Sequence, residues 1–302
     1  MDKAQKELIK SYYHARNIAV DMEDHSYYRY ELNPYALKNG LLKVDALDGV
    51  DMVELIVADP TTLDDLEKAS NKIYYRLTSM DVSEILQNRP ELYDKLSTKF
   101  NLNKLTQTSI ARILVKQPQL YTKFNLSTLD SGISITELLK SQPRFIYAVD
   151  LNHLNGHNIG ELLQTYLENN DKESYDKLME AVNFAELPNN ELFRVFFKVP
   201  QTMDLFDQEK INEIFREDPI FASEFIVKQP EYFDKIRDIA MQIPKEDMVK
   251  LLKKNPFKLL KKFRTRFDEL TDEDIEEIAK PHFFKANEIM GYIMTYQTNQ
   301  NG

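Results

Sequence analysis

The chain has 302 residues, 42% of them apolar, which is enough for a packed core and too many for wholesale disorder. The absence of cysteine removes disulfides, thiolate metal sites and cysteine nucleophiles together. A net charge of −10 argues against a broad phosphate-binding surface, and apolar runs of a handful of residues fall far short of the roughly 20 that cross a bilayer.

Seven glycines and no tryptophan, against plentiful Leu, Lys, Glu, Asp, Asn and Tyr, point to an all-α chain. The opening "MDKAQKELIKSYYHARN" has no apolar run, so no secretory signal is expected. The expected location is the cytoplasm, or a virion if the gene is phage-borne. Heavy use of Asn, Lys, Ile and Tyr accords with the AT-rich genomes of bacteriophages and low-GC bacteria.

Residues 1–50 read as an N-terminal helical cap. Tyr27, Tyr28 and Tyr30, with Tyr12, Tyr13 and Tyr35, crowd it. They suit an interface or the filling of an array's end equally well. From 51 to 290 one phrase keeps returning: "VELIVADPTTL", "EILQNRPELY", "RILVKQPQLY", "ELLKSQPRFI", "VFFKVPQTM", "EFIVKQPEYF", "KLLKKNPFKLL" and "EEIAKPHFF". Aligned on Pro60, Pro90, Pro118, Pro143, Pro200, Pro230, Pro256 and Pro281, the phrases recur about every 25–30 residues, apart from one double interval. Inside that interval "ELLQTYLENN" fits the pattern with Leu167 in place of the proline. "YELNPYAL" at Pro34 reads as a worn first copy. Pro219 falls between two phrases and marks an extra short helix. Residues 291–302 read as a polar tail.

A proline disfavours helix in the residue before it and is accepted in the first turn of a helix after it. The unit therefore reads as helix, sharp corner, short helix, loop. Asn33, Asp59, Asp218 and Asn255, each just ahead of a proline, are placed to cap the next helix. Ile110, Ile113 and Leu114, and Ile135, Leu138 and Leu139, make helical stripes before the corner. Leu120 and Phe124, and Phe257, Leu260 and Phe263, continue them after it. Hairpins this small gain stability by stacking. The expected architecture is a right-handed or curved α-solenoid of about eight to nine short helical hairpins.

The phrase apolar-apolar-x-x-x-Pro-x-apolar, in "EILQNRPELY", "ILVKQPQLY", "LLKSQPRFI", "FIVKQPEYF" and "LLKKNPFKLL", resembles the mitochondrial transcription termination factor family across about residues 54–284. HEAT-like arrays carry similar short-helix repeats. The resemblance implies a curved solenoid of paired helices that binds nucleic acid. That family presents basic residues on its concave face, and the acidity of this chain departs from the pattern.

One segment opposes the net charge. "MVKLLKKNPFKLLKKFRTRF", residues 248–267, carries Lys250, Lys253, Lys254, Lys258, Lys261, Lys262, Arg264 and Arg266 with no acidic residue. It is either a site for phosphate, nucleic acid or an acidic partner, or a solvated face offset by carboxylates on neighbouring repeats. His153, His157 and Glu161 are spaced four apart, but the turn signal Asn155-Gly156 falls between the histidines, so a repeat-to-repeat loop is expected there and no metal site is assigned. Asp64 and Asp65, and Asp272, Glu273 and Asp274, stand where helices should begin and where carboxylates meet the helix dipole. No phosphate loop, nucleophile elbow or zinc-helix pattern is present, so no catalytic residue and no cofactor is assigned. The expected function is a non-enzymatic scaffold or interaction protein that binds a protein partner along its surface. Nucleic-acid binding through 248–267 is the alternative, and no membrane partner is expected.

Overall fold

The computed structural model describes residues 34–38, 44–217 and 219–300. The described residues are all-helical, with 17 α-helices, many short 3-10 helices and no strand. The chain divides into two compact units, Met1–Gln142 and Pro143–Gly302. Most of the expected cap at 1–50, including Tyr27, Tyr28 and Tyr30, lies outside the described residues.

The first unit holds α1 (Pro34–Lys38), α2 (Gly49–Ala58), α3 (Thr62–Ala69), α4 (Ser79–Asn88), α5 (Tyr93–Ser97), α6 (Gln107–Lys116) and α7 (Gly132–Ser141). The second holds α8 (Gly156–Glu168), α9 (Lys172–Ala181), α10 (Asn189–Lys198), α11 (Gln208–Arg216), α12 (Pro219–Lys228), α13 (Arg237–Ala240), α14 (Lys245–Lys254), α15 (Pro256–Phe263), α16 (Asp272–Ala279) and α17 (Ala286–Gln300).

The prolines set helix length. Helices α2, α4, α6, α7, α10, α12 and α14 are each 10 residues long, and each ends two residues before a proline. The residue between each of these helices and its proline leaves the helical region, which the proline ring disfavours there. At Arg89, Gln117, Gln142, Val199, Gln229 and Asn255 its φ lies between −139° and −126° and its ψ between 55° and 74°. Where Leu167 replaces the proline, α8 runs on to 13 residues. It stops only near Asn170, whose φ of 55° places it in the left-handed region that closes helices.

Eight of the helices have their start written by a side chain. Asp48, Thr78, Thr106, Ser131, Asn155, Asp171, Asp207 and Thr271 each accept a hydrogen bond from a backbone N–H in the first turn. Asp274 closes a capping box with Thr271, and Asp64 and Asp65 lie in the first turn of α3, so these carboxylates meet helix N-termini as expected. Asn155-Gly156, read from sequence as a turn inside a loop, instead caps and opens α8. A turn and a helix start share the same local signal, and only the apolar stripe of the next dozen residues separates them.

Counting back from six of the repeat prolines, positions −8, −5 and −4 face the core, whereas before Pro281 Ile275 and Ile278 are buried instead. The six sets are Met52, Leu55 and Ile56; Val82, Ile85 and Leu86; Ile110, Ile113 and Leu114; Ile135, Leu138 and Leu139; Leu192, Val195 and Phe196; and Met248, Leu251 and Leu252, all buried. Counted from Leu167, Ile159, Leu162 and Leu163 obey the same rule. These stripes bring α2 onto α4, α4 onto α6 and α6 onto α7 in the first unit. In the second, α8 meets α10, α10 meets α11, α12 meets α14, α14 meets α16, and α16 meets α17. The approach of α8 to α10 needs glycine: a Cβ on Gly156 would lie 2.0 Å from the Glu191 carbonyl oxygen.

Two expectations are corrected. The segment after the proline is mostly 3-10 helix, as in Pro90–Leu92, Pro118–Lys123, Pro143–Phe145, Pro200–Leu205 and Pro230–Ile236; only Pro219 and Pro256 open α-helices of eight residues or more. Nor do the pre-proline residues cap the next helix uniformly. Asn255 makes no capping bond to α15, whereas Asp59 Oδ1 accepts from the backbone N–H of Thr61 at 2.9 Å just ahead of α3, and its carboxylate also meets Lys38. Asn33 and Asp218 lie outside the described residues.

The pre-proline side chains reach backwards instead, to a carbonyl about 30 residues earlier. Arg89 Nε donates to Val57 O at 2.7 Å, Gln117 Nε2 to Gln87 O at 2.6 Å and Gln142 Nε2 to Val115 O at 3.1 Å. In the second unit Gln229 Nε2 donates to Phe197 O at 3.4 Å and Asn255 Nδ2 to Val227 O at 2.9 Å. His282 Nε2, one residue past Pro281, meets Lys253 O at 2.8 Å. In every case the acceptor lies three residues before the earlier proline. These carbonyls belong to last turns that the corner has left without intrahelical partners. A second ladder runs beside the first: Lys95 pairs with Asp64, Lys123 with Asp94, Lys235 with Asp204 and Lys262 with Asp234.

Removing one clamp should cost about 1 kcal/mol, the net worth of a hydrogen bond of this kind. In urea unfolding, Gln117→Ala and Gln142→Ala are expected to lose about that much, while Thr122→Ala at an exposed neighbouring position leaves the midpoint unchanged. Gly156→Ala is expected to be worse, by about 1–3 kcal/mol, because its methyl group meets backbone that cannot rotate away.

Candidate functional site

The basic segment occupies the outer faces of α14 and α15 and the 3-10 helix Arg264–Glu269. Its apolar residues set that arrangement. Met248, Leu251 and Leu252 turn inward from α14, and Leu259, Leu260 and Phe263 from α15, which leaves the intervening lysines outside.

Four of its eight cations are matched by carboxylates. Lys250 lies 2.8 Å from Asp247, and Lys253 lies 2.8 Å from Glu277 on α16. Lys262 pairs with Asp234 as a rung of the lysine–aspartate ladder. Arg266 grips Glu269 through Nε at 2.6 Å and Nη2 at 2.5 Å, and donates to Ile243 O at 2.8 Å. The other four, Lys254, Lys258, Lys261 and Arg264, have no carboxylate partner among the described residues. Arg264 instead lies 5.8 Å from the ring centroid of Tyr296. The segment therefore contains two populations, one built into the fold and one left open to solvent.

Two clefts border it. One, of about 480 Å³, is lined by Phe197, Ile220, Lys228, Lys250 and Lys254 among others, with Lys228 Nζ 4.5 Å above the Phe197 ring. The other, of about 520 Å³, runs between α15 and α17 over Phe257, Leu260, Ile289 and Tyr292, with Lys261 and Glu288 on its lining.

Phe257 departs from the sequence expectation. Leu260 and Phe263 join the core, but Phe257 is half exposed. The stripe that α15 buries begins at Pro256 and continues through Leu259, Leu260 and Phe263. Phe257 therefore faces outward, 6.0 Å from His282 and with Lys285 Nζ 4.6 Å from its ring centroid. Directly after His282 in the chain, Phe283 is 84% and Phe284 100% exposed. Sequence reading did not single out this pair, although the "HFF" just after Pro281 carried the signal: two large apolar residues in a three-residue run, where a helical stripe would bury at most one.

His153 and His157 address different carboxylates, Asp150 at 3.6 Å and Glu161 at 3.9 Å, on the two sides of the Asn155 cap. Among the described residues no three His, Asp or Glu side chains gather as a metal site, and no helix is long and apolar enough to cross a membrane.

No family model, curated protein or solved structure matches the chain. Function must therefore be read from the surface itself.

The Lys245–Asp274 pair, 2.9 Å apart, ties α14 to α16 beside the basic segment. The Lys245 hydrogen bond and the Thr271 N–H hold the Asp274 carboxyl below the usual range for aspartate. A lowered carboxylate pKa stabilises the fold above the unfolded-chain value of about 3.9, and that contribution is lost as pH falls through the folded value. Asp274→Asn keeps a cap acceptor but removes the charge. The gap between its urea midpoint and that of the unmodified chain is expected to be widest near neutrality and to close as pH drops below about 3.9.

Proposed function

We propose that the chain is a non-enzymatic helical-repeat scaffold, a curved α-solenoid of about eight to nine hairpins that binds a protein partner along its surface. The observation that supports this most is the pair of ladders. Backward clamps and lysine–aspartate rungs fix successive hairpins within each unit in one register, so side chains from several repeats are held as a single rigid surface. Rigid presentation lowers the ordering cost of binding a large partner. Large apolar residues left outside, among them Tyr75, Ile133 and Phe284, are the type that interfaces cover. The scaffold would act in the cytoplasm, or in a virion if it is phage-encoded.

A second reading, nucleic-acid binding in the manner of the mitochondrial transcription termination factor family, draws on the four unmatched cations of 248–267. The matching of the other four weakens it, because cations already neutralised within the protein release few counterions from a phosphate backbone.

Affinity capture with the full chain from its native host, with and without nuclease, separates the two. Recovery of a stoichiometric protein partner unaffected by nuclease is the expected result. Binding to mixed RNA or DNA that falls steeply with salt, with a slope reduced by Lys258→Ala and Lys261→Ala, would establish the second reading instead.

A further inference from the structure

The C-terminal end of the second unit joins three features that belong together chemically. The cleft between α15 and α17 is concave, has an aliphatic and aromatic floor, and at about 520 Å³ falls within the usual range of ligand-holding sites, about 300–1,000 Å³. Phe257 lines it, 6.0 Å from the ring of His282, which the exposed Phe283 and Phe284 follow in the chain. Lys261 lines the cleft, Lys285 lies over Phe257 and Lys258 follows Phe257 in the chain, all without a carboxylate partner among the described residues, and Glu288 is the one carboxylate on the cleft lining. In a chain of net charge −10, carboxylates are in good supply. Elsewhere in the same segment Lys253 and Lys262 pair with carboxylates.

We propose that this patch is the docking site for an acidic, amphipathic peptide segment of a protein partner, its apolar side chains seated between α15 and α17 and its carboxylates meeting Lys258, Lys261 and Lys285. The inference rests on the scaffold reading and gives it an address. An apolar floor with a charged rim is the anatomy of a protein interface, and a groove between two helices receives apolar anchors spaced three and four residues apart. The rings do not suit single-stranded nucleic acid, which needs open, parallel platforms for successive bases. Phe283 and Phe284 meet edge to face at 87°, and Lys285 already lies over Phe257.

The test is selection of peptides on the full chain from a display library of random sequence, with affinities then measured on synthetic peptides. The variants are Phe283→Ala/Phe284→Ala and Lys258→Ala/Lys261→Ala, both at exposed positions and both checked for unchanged thermal unfolding. Selected peptides are expected to be rich in Asp and Glu with apolar residues at helical spacing. Their affinity is expected to fall about tenfold or more in either variant and to weaken with salt. Neutral or basic peptides, peptides indifferent to both variants, or no enrichment at all would each overturn the inference. Peptides that bind elsewhere would leave the scaffold reading standing. Oligothymidine bound through the same phenylalanines and lysines, with no peptide enriched, would remove both.

Discussion

The residue before each proline governs this structure. The proline ring disfavours the helical conformation there. At Arg89, Gln117, Gln142, Gln229 and Asn255 the helix therefore stops and that residue swings into nearly one non-helical geometry, whereas Lys280 before Pro281 stays helical. The stop exposes carbonyls that a longer helix would have satisfied, and the swing aims a side chain at such a carbonyl on the preceding unit. One covalent constraint thus creates both the deficit and the group that fills the next deficit along. Val199 shows the other half of the rule: its backbone adopts the same conformation, but an apolar side chain has no donor to offer. In α8 the ring is missing, and there the helix simply continues.

Much of this was legible in the sequence. The prolines marked the helix ends, the −8, −5, −4 stripe gave the buried face, and Leu167 was recognisable as a proline position by the residues before it. What escaped reading was everything that depends on the neighbouring unit. Gln117 sits beside Pro118, and a local argument assigns it to the next helix, whereas its partner, Gln87 O, is 30 residues behind it. Lys95 and Asp94 are adjacent in sequence but serve different rungs, one reaching back to Asp64 and the other receiving Lys123. The 3-10 character of the segments after most corners was equally invisible, since few residues separate 3-10 from α-helix by composition alone.

The same dependence on neighbours divides the basic segment. By composition its eight cations form a single run. In the fold Lys250 and Arg266 are matched by carboxylates three residues away, Lys253 and Lys262 pair with carboxylates on other elements, and Lys254, Lys258, Lys261 and Arg264 have no carboxylate partner among the described residues. Charge counted along the chain treats the eight cations alike, and the fold separates them. Phe257 turns outward because it directly follows its proline, a position that is also exposed where a 3-10 segment follows, as at Glu91, Gln119 and Glu231.

The backward clamp can be observed directly by hydrogen exchange of side-chain amides, monitored by NMR on the full chain. The Nε2 protons of Gln117 and Gln142 and the Nδ2 protons of Asn255 should exchange well below the rate of a free amide, and more slowly than those of the exposed Gln242. Exchange of all three at the free rate would mean that these side chains point to solvent, and the proline corners would then end helices without joining one hairpin to the next.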